Sequence, residues 1–353
     1  MDSSIFVGRT LNDYRILRYR GQGAFSFVYE AEHSPTGTEV ALKILNPRAT
    51  IDQIREFDNE GELLVKLSGA RRVVNILDSQ TASLDVLLPG SAVPLTIPVR
   101  FHVLELATGC LDELVVQIDS IPWTERLQLY RDVVLGVHQM HLQSIMHRDL
   151  KSSNCLLFEA STSSLLVKVN DLGRARDLTQ AAMAAAWAYR IGRGDPNFRP
   201  PEMLWGLGVD DPDCHRRADL YGLGCVLFEL ITGQAITALA LYPRAAVIQQ
   251  DSLLADSTRY QQYLARADEI RSWYESAYSF AALGIPREIR QQAISLLQQL
   301  CDPIPVRRLP HTVPGKKLRP CNDLNWLLRR VDILDKTLRN AETQRRVLQN
   351  KKA

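Results

Sequence analysis

The sequence predicts an α+β protein with a small β-rich first lobe and a larger, mainly helical second lobe. Short β-prone runs broken by turn residues fill residues 14–45. After Gly109 the pattern turns to helical periodicity, and apolar residues recur at three-four spacing to the end of the chain. At 353 residues the chain can bury a sizeable core in two coupled lobes.

In the first lobe, Tyr14–Arg20, Phe27–His33 and Glu39–Leu45 read as three consecutive antiparallel strands, with turns at Gly21-Gln22-Gly23 and Ser34–Gly37. Ile54, Phe57, Leu63, Leu64 and Leu67 give Ile51–Leu67 the apolar face of a helix packed on that sheet. Strands are expected at Val73–Asp78 and Val99–Glu105. The long connection 79–98 between them is an inserted loop or an extended hairpin. In the second lobe, helices are expected at Trp123–His141, Asp219–Thr232 and Arg287–Leu300. The working division is a lead (1–13), a first lobe (14–107), a second lobe (108–310) and a C-terminal extension (311–353). In that extension Leu324, Leu327, Val331, Leu334, Leu338, Ala341 and Leu348 form a narrow stripe on a basic helix. This helix is expected to dock on the core, with a partner helix as the alternative use for residues 324–348.

Composition excludes several classes. A net charge of +2 argues against nucleic acid as a partner. The six cysteines are scattered with no Cys-x-x-Cys pair, which suits reduced thiols and a cytoplasmic protein. Apolar runs such as 181–188 and 222–231 are too short to span a bilayer, and Met1–Leu11 lacks the apolar stretch of a signal peptide. His138 and His141 lie three apart on a helix without a third ligand, so they read as ordinary core or surface histidines. Cys155 reads as a small buried hydrophobe.

The chemistry-bearing residues come in one order. Gly21-Gln22-Gly23-Ala24-Phe25-Ser26-Phe27-Val28 lies between two strands, where small residues let backbone N–H groups approach phosphate oxygens. In Val40-Ala41-Leu42-Lys43, strand alternation puts Ala41 and Lys43 on one face, so Lys43 can reach phosphates while Ala41 leaves room for a flat base. A carboxylate must fix such a lysine; Glu60 is the best placed, with Glu56 and Glu62 as rivals. His147-Arg148-Asp149-Leu150-Lys151-Ser152-Ser153-Asn154 is the decisive segment. Asp149 can orient a hydroxyl and accept its proton, Lys151 can offset charge on a moving phosphoryl group, and Asn154 can ligate magnesium. Asp171-Leu172-Gly173 supplies a second hard oxygen ligand.

Over residues 14–308 the chain resembles the eukaryotic-type protein kinases, and Lys151 and Ser153 resemble the serine/threonine branch. The resemblance implies ATP and Mg²⁺ (or Mn²⁺) as cofactors and protein substrates. It implies an adenine-binding hinge at Glu105-Leu106-Ala107 behind Leu104, with Val28 and Leu156 sandwiching the base. Pro200-Pro201-Glu202 stands at the Ala-Pro-Glu position. Asp219 stands where that family's buried Asp holds the catalytic loop, and Arg307 where a late arginine pairs with the Glu, here Glu202. Arg148 implies either a phosphate on the activation loop or an activity independent of loop phosphorylation, in which Arg148 packs against loop backbone. That loop, residues 174–199, offers Thr179 and Tyr189 around a short helix-prone run, 181–188, with Thr179 the expected site. Departures are Ser26 for the third glycine, Leu172 for Phe, and Asp195 for a usual Thr. A carboxylate at 195 would lie near Asp149 and repel its charge. The main expectation is therefore a serine/threonine protein kinase. The alternatives are a nucleotide-binding pseudokinase scaffold and a small-molecule kinase.

Overall fold

A computed structural model describes residues 3–86, 94–160, 164–180, 195–208, 211–310 and 323–350. The chain divides into two compact units: residues 1–108 with 170–173, and residues 109–169 with 174–353.

The first unit is one six-stranded antiparallel sheet with a helix. Its elements are β1 (Thr10–Leu11), β2 (Tyr14–Gln22), β3 (Ser26–His33), β4 (Thr38–Leu45), α1 (Ile51–Lys66), β5 (Ile76–Val86) and β6 (Leu95–Glu105), with strand order β1-β2-β3-β4-β6-β5. Residues 79–98 contain an extended hairpin: β5 and β6 pair from Ile76–Leu104 out to Val86–Leu95. The fifth strand starts at Ile76 rather than Val73, because Val73 and Val74 are buried outside the ladder. Alternation sends Phe27, Tyr29, Val40, Leu42, Ile44, Phe101 and Val103 to one face, where Phe6, Leu11, Tyr14 and Ile16 join them in a core. The sheet curls until its edge strands lie side by side, β1 against β5. There Arg9 Nη1 donates to the Asp85 carbonyl (3.1 Å) and Asn12 Nδ2 to Gln80 Oε1 (2.6 Å).

The opposite face carries the site residues. Ladder pairs Val28–Lys43, Ala41–Leu104 and Lys43–His102 place Val28, Ala41, Lys43, His102 and Leu104 together on it. Helix α1 starts on a capping box: Thr50 Oγ1 accepts from the Gln53 N–H, while Gln53 Oε1 accepts from the Thr50 N–H. Phe57, Leu63 and Leu64 form its buried face.

The second unit is mainly helical. It runs through β7 (Gly109–Cys110), α2 (Leu111–Val115), α3 (Trp123–Leu142), β8 (Ile145–Met146), β9 (Cys155–Glu159), β10 (Leu165–Val169) and β11 (Arg176–Asp177). Then come α4 (Pro201–Leu204), α5 (Pro212–Thr232), α6 (Ile236–Leu241), α7 (Ala245–Ser252), α8 (Asp256–Ala265), α9 (Ala267–Trp273), α10 (Glu275–Gly284), α11 (Arg290–Leu300) and α12 (Asn325–Asn350). Helix α5 is its axle. Asp211 caps it, Pro212 opens it, and nearly all its residues from Ala218 to Ile231 are buried. Helix α12 packs on α3, burying Leu327, Leu328, Val331, Leu334 and Leu338; beyond Ala341 the stripe is exposed. Arg131 pairs with Asp332 (2.6 Å) along this contact. Among the described residues no single helix is long and apolar enough to cross a membrane.

Candidate active site

In the first unit, Lys43 Nζ lies 2.7 Å from both Glu60 oxygens and 3.2 Å from Asp171 Oδ1. Lys43 is 6% exposed and Glu60 fully buried. Burial alone would lower the lysine pKa, but the carboxylates of Asp171 and Glu60 outweigh it and raise it, so the ammonium stays charged. Of the three candidate carboxylates on α1, Glu60 is therefore the partner, while Glu62 is exposed. Asp171 adopts a left-handed backbone (φ 61°), one that Asp tolerates better than most side chains.

The glycine turn closes with the Gly23 N–H donating to the Ser26 carbonyl (2.8 Å), and the Ser26 side chain is buried beside it. Gly21 has open space around its Cα. At the end of β6, Glu105 Oε1 accepts from the Asn75 N–H (2.7 Å), and Arg20 Nη2 reaches the Ala107 carbonyl (3.3 Å). These contacts fix the chain at the segment expected to bind adenine.

In the second unit, the loop carrying Asp149 is built on Asp219. That buried carboxylate accepts the N–H groups of His147 (2.8 Å) and Arg148 (2.7 Å), and His141 Nε2 is 2.8 Å away. Burial opposes its charge, but the His141 contact and those N–H groups prevail and lower its pKa. Arg148 sits at φ 68°, a costly conformation for a long side chain. The Asp219 bonds on either side of that peptide hold it there. Gly222 of α5 completes the seat: a Cβ there would come 2.7 Å from Leu150 Cβ, so only glycine lets the loop sit this close.

Asp149 is 8% exposed. Its Oδ1 accepts from the Asp195 N–H (3.1 Å), its Oδ2 is 3.3 Å from Arg174 Nη1, and its carbonyl accepts from Asn154 Nδ2 (2.8 Å). Asp195 does lie beside Asp149, but through its backbone; its carboxylate turns to Lys151 Nζ (3.4 Å) and to the Asn197 N–H (3.0 Å). Leu156 is half-buried on β9, and the Cys155 thiol is fully buried, which pushes its pKa up. His138 accepts the Leu324 N–H (3.2 Å) ahead of α12, a structural role.

One sequence expectation is corrected. The partner of Glu202 is Arg308, not Arg307: Arg308 Nη1 and Nη2 lie 2.7 and 2.6 Å from the two carboxylate oxygens, fully buried, whereas Arg307 is exposed. Both follow Asp302-Pro303 within one short 3₁₀ turn, Pro305–Arg308, and its pitch turns the second arginine inward.

Sequence reasoning missed Arg174 as a contact of Asp149, although a cation directly after Asp-Leu-Gly was a visible signal. It also missed Glu229, whose oxygens accept the Ser152 Oγ–H (2.6 Å) and N–H (3.1 Å). A charged residue inside the apolar run Cys225–Ile231 was the available clue. Thr179 is exposed, and its hydroxyl and N–H both bond Asp177 Oδ1 (2.6 and 2.8 Å). Tyr189 and the run 181–188 lie outside the described residues.

The comparisons with known proteins agree with this arrangement. A probable serine/threonine-protein kinase of Clostridium perfringens is 29% identical over 231 residues, covering 64% of this chain and 30% of that protein. The serine/threonine-protein kinase Pkn1 of Myxococcus xanthus is 30% identical over 230 residues, covering 65% of this chain and 30% of its own length. The carbon catabolite-derepressing protein kinase of Saccharomyces cerevisiae is 26% identical, with 65% and 32% covered. The chain thus spans under a third of the length of these curated relatives. The family model described as the protein kinase domain matches residues 14–313, and the chain belongs to that family.

Proposed function

We propose that this chain is an ATP- and Mg²⁺-dependent serine/threonine protein kinase, with Asp149 orienting the substrate hydroxyl and accepting its proton. The observation that carries the reading is the two-point bond of buried Lys43 to Glu60, with Asp171 at its side. A charge so deeply buried is costly unless it has a task that a hydrophobic side chain could not perform. Relatives named serine/threonine-protein kinases support the substrate class.

The donor set fits magnesium. Asn154 spends its amide nitrogen on the Asp149 carbonyl, which leaves its oxygen as the group to offer a cation, and Asp171 adds a carboxylate. Among the described residues no group of three or more His, Cys, Asp or Glu forms a metal cage. Mg²⁺ suits such a sparse oxygen set, because it keeps its waters and binds phosphate oxygens as its other ligands. Asp171 and the Asn154 side-chain oxygen are the groups that would hold the ion, which would supply charge neutralisation for the phosphates.

The chain's own residues do the rest. Lys43, fixed by Glu60, holds the α- and β-phosphates, and the backbone at Gly21, Gly23 and Ser26 covers them. In the first unit, Ala41 and Val28 receive the adenine, with Glu105 and Ala107 offering backbone groups to its edge. Asp149 takes the proton as the hydroxyl oxygen bonds phosphorus and the bond to ADP breaks, and Lys151 offsets charge on the phosphoryl group. Cysteines 110, 155, 214, 225 and 301 are free thiols, as suits a cytoplasmic setting.

The test is phosphate incorporation from labelled ATP with Mg²⁺ into a generic basic protein, comparing the wild type with Asp149→Ala. Label on serine or threonine that vanishes in the variant is the expected result. Nucleotide binding without label would turn the reading to a scaffold of the same fold.

A further inference from the structure

His102 is buried, at 4% exposure, directly opposite Lys43 in the β4–β6 ladder. Its ring stacks on Phe57 of α1, with centroids 4.0 Å apart and planes 6° from parallel. Its Nε2 lies 2.9 Å from the Phe57 carbonyl oxygen and its Nδ1 2.8 Å from Ser79 Oγ. A carbonyl only accepts, so Nε2 carries the hydrogen and Nδ1 accepts from the Ser79 hydroxyl. Burial lowers the pKa of His102, which keeps the ring neutral.

The helix is cut to receive this ring. A Cβ at Gly61 would stand 2.6 Å from His102 Cε1, closer than side chains pack. Glycine in mid-helix is unfavourable, and here its neighbour explains it. Phe57 and Gly61 are one turn apart, and Glu60 lies between them in sequence, adjoining Gly61.

We propose that His102, seated in the notch at Gly61, is a positioning residue that sets how α1 lies on the sheet and thereby holds Glu60 on Lys43. Its contacts are to Phe57 and Ser79, and it acts through Glu60. The inference rests on the reading of Lys43 as the phosphate-holding lysine.

Gly61→Ala, His102→Ala, the double variant, His102→Gln and His102→Leu test it, with hydrogen exchange across α1 and the KM for ATP as readouts. Gly61→Ala alone is expected to speed exchange at 57–64 and to lower kcat/KM for ATP by ~10²-fold, the scale of a small misplacement. His102→Gln, which keeps a donor for the Phe57 carbonyl, should recover more activity than His102→Leu. The double variant should outperform Gly61→Ala, because the new methyl then fills the space the ring has left. Wild-type exchange and KM in Gly61→Ala, or a double variant no better than that single one, would overturn the proposal. Lys43→Met separates the two levels: if it keeps the wild-type KM for ATP, the reading of Lys43 falls and the inference falls with it.

Discussion

Arg308 and Glu202 meet in a buried two-point ion pair, with nitrogen–oxygen separations of 2.7 and 2.6 Å, and the Arg308 guanidinium also lies 5.1 Å over the Tyr221 ring. Removing one partner strands the other charge in the interior. Arg308→Ala should therefore cost about 3–5 kcal/mol of stability. Arg307→Ala, one residue away and exposed, should stay within ~0.5 kcal/mol. Urea denaturation of both variants measures the contrast; equal losses would refute the assignment.

Glu60→Gln keeps the shape of the Lys43 partner and removes its charge. The lysine then loses one of two anchoring carboxylates, and a phosphate-holding group is left loosely placed. kcat/KM for ATP should drop by ~10²-fold, with the fold retained. Steady-state kinetics over a range of ATP concentrations would show it. Glu62→Gln, on the exposed side of the same helix, serves as the control.

Burial pushes the Glu229 carboxyl up from 4.5 to about 7, with its Ser152 bonds pulling the other way. The folded state then binds this proton more tightly than the unfolded chain does. The stabilising contribution is present below pH 4.5 and is lost as pH rises towards about 7. The full effect is ~3 kcal/mol, at 1.36 kcal/mol for each pH unit. The wild type minus Glu229→Gln difference in unfolding free energy should fall across that window. A flat difference would disprove the shift.

Thr179 spends its hydroxyl and its N–H on Asp177. A phosphate there would face that carboxylate, and like charges repel. Thr179→Ala is therefore expected to retain phosphoryl transfer close to the wild type. Loss of activity, restored by prior phosphorylation of the wild type alone, would show that this threonine is the switch.

The sequence made the first-unit site readable because alternation along β4 is rigid: once Lys43 faces the site, Ala41 must as well. Glu60 was singled out by motif spacing alone, with Glu56 and Glu62 left as rivals until the structure set Glu60 against Lys43. Arg308 was not, since neighbouring arginines in a 3₁₀ turn differ only in a local rotation that the sequence does not encode plainly. Arg174, Glu229 and His102 escaped for another reason. Each takes its role from a partner remote in sequence, 25 residues away for Arg174 and 77 for Glu229. Gly61 was a visible irregularity in a helix, but only the ring lodged against it gives it meaning.

The seam where β1 meets β5 has a practical consequence. Phe6 is wholly buried, and residues 5–11 lie ahead of the region shared with the kinase family, 14–313. A polypeptide cut back to that shared boundary would lose the plug from one end of its own curled sheet. It would bare the Tyr29 ring, which packs edge-on against Phe6, and free the outer edge of β5, an invitation to pair with the next chain. Such a fragment would keep every catalytic side chain and still aggregate.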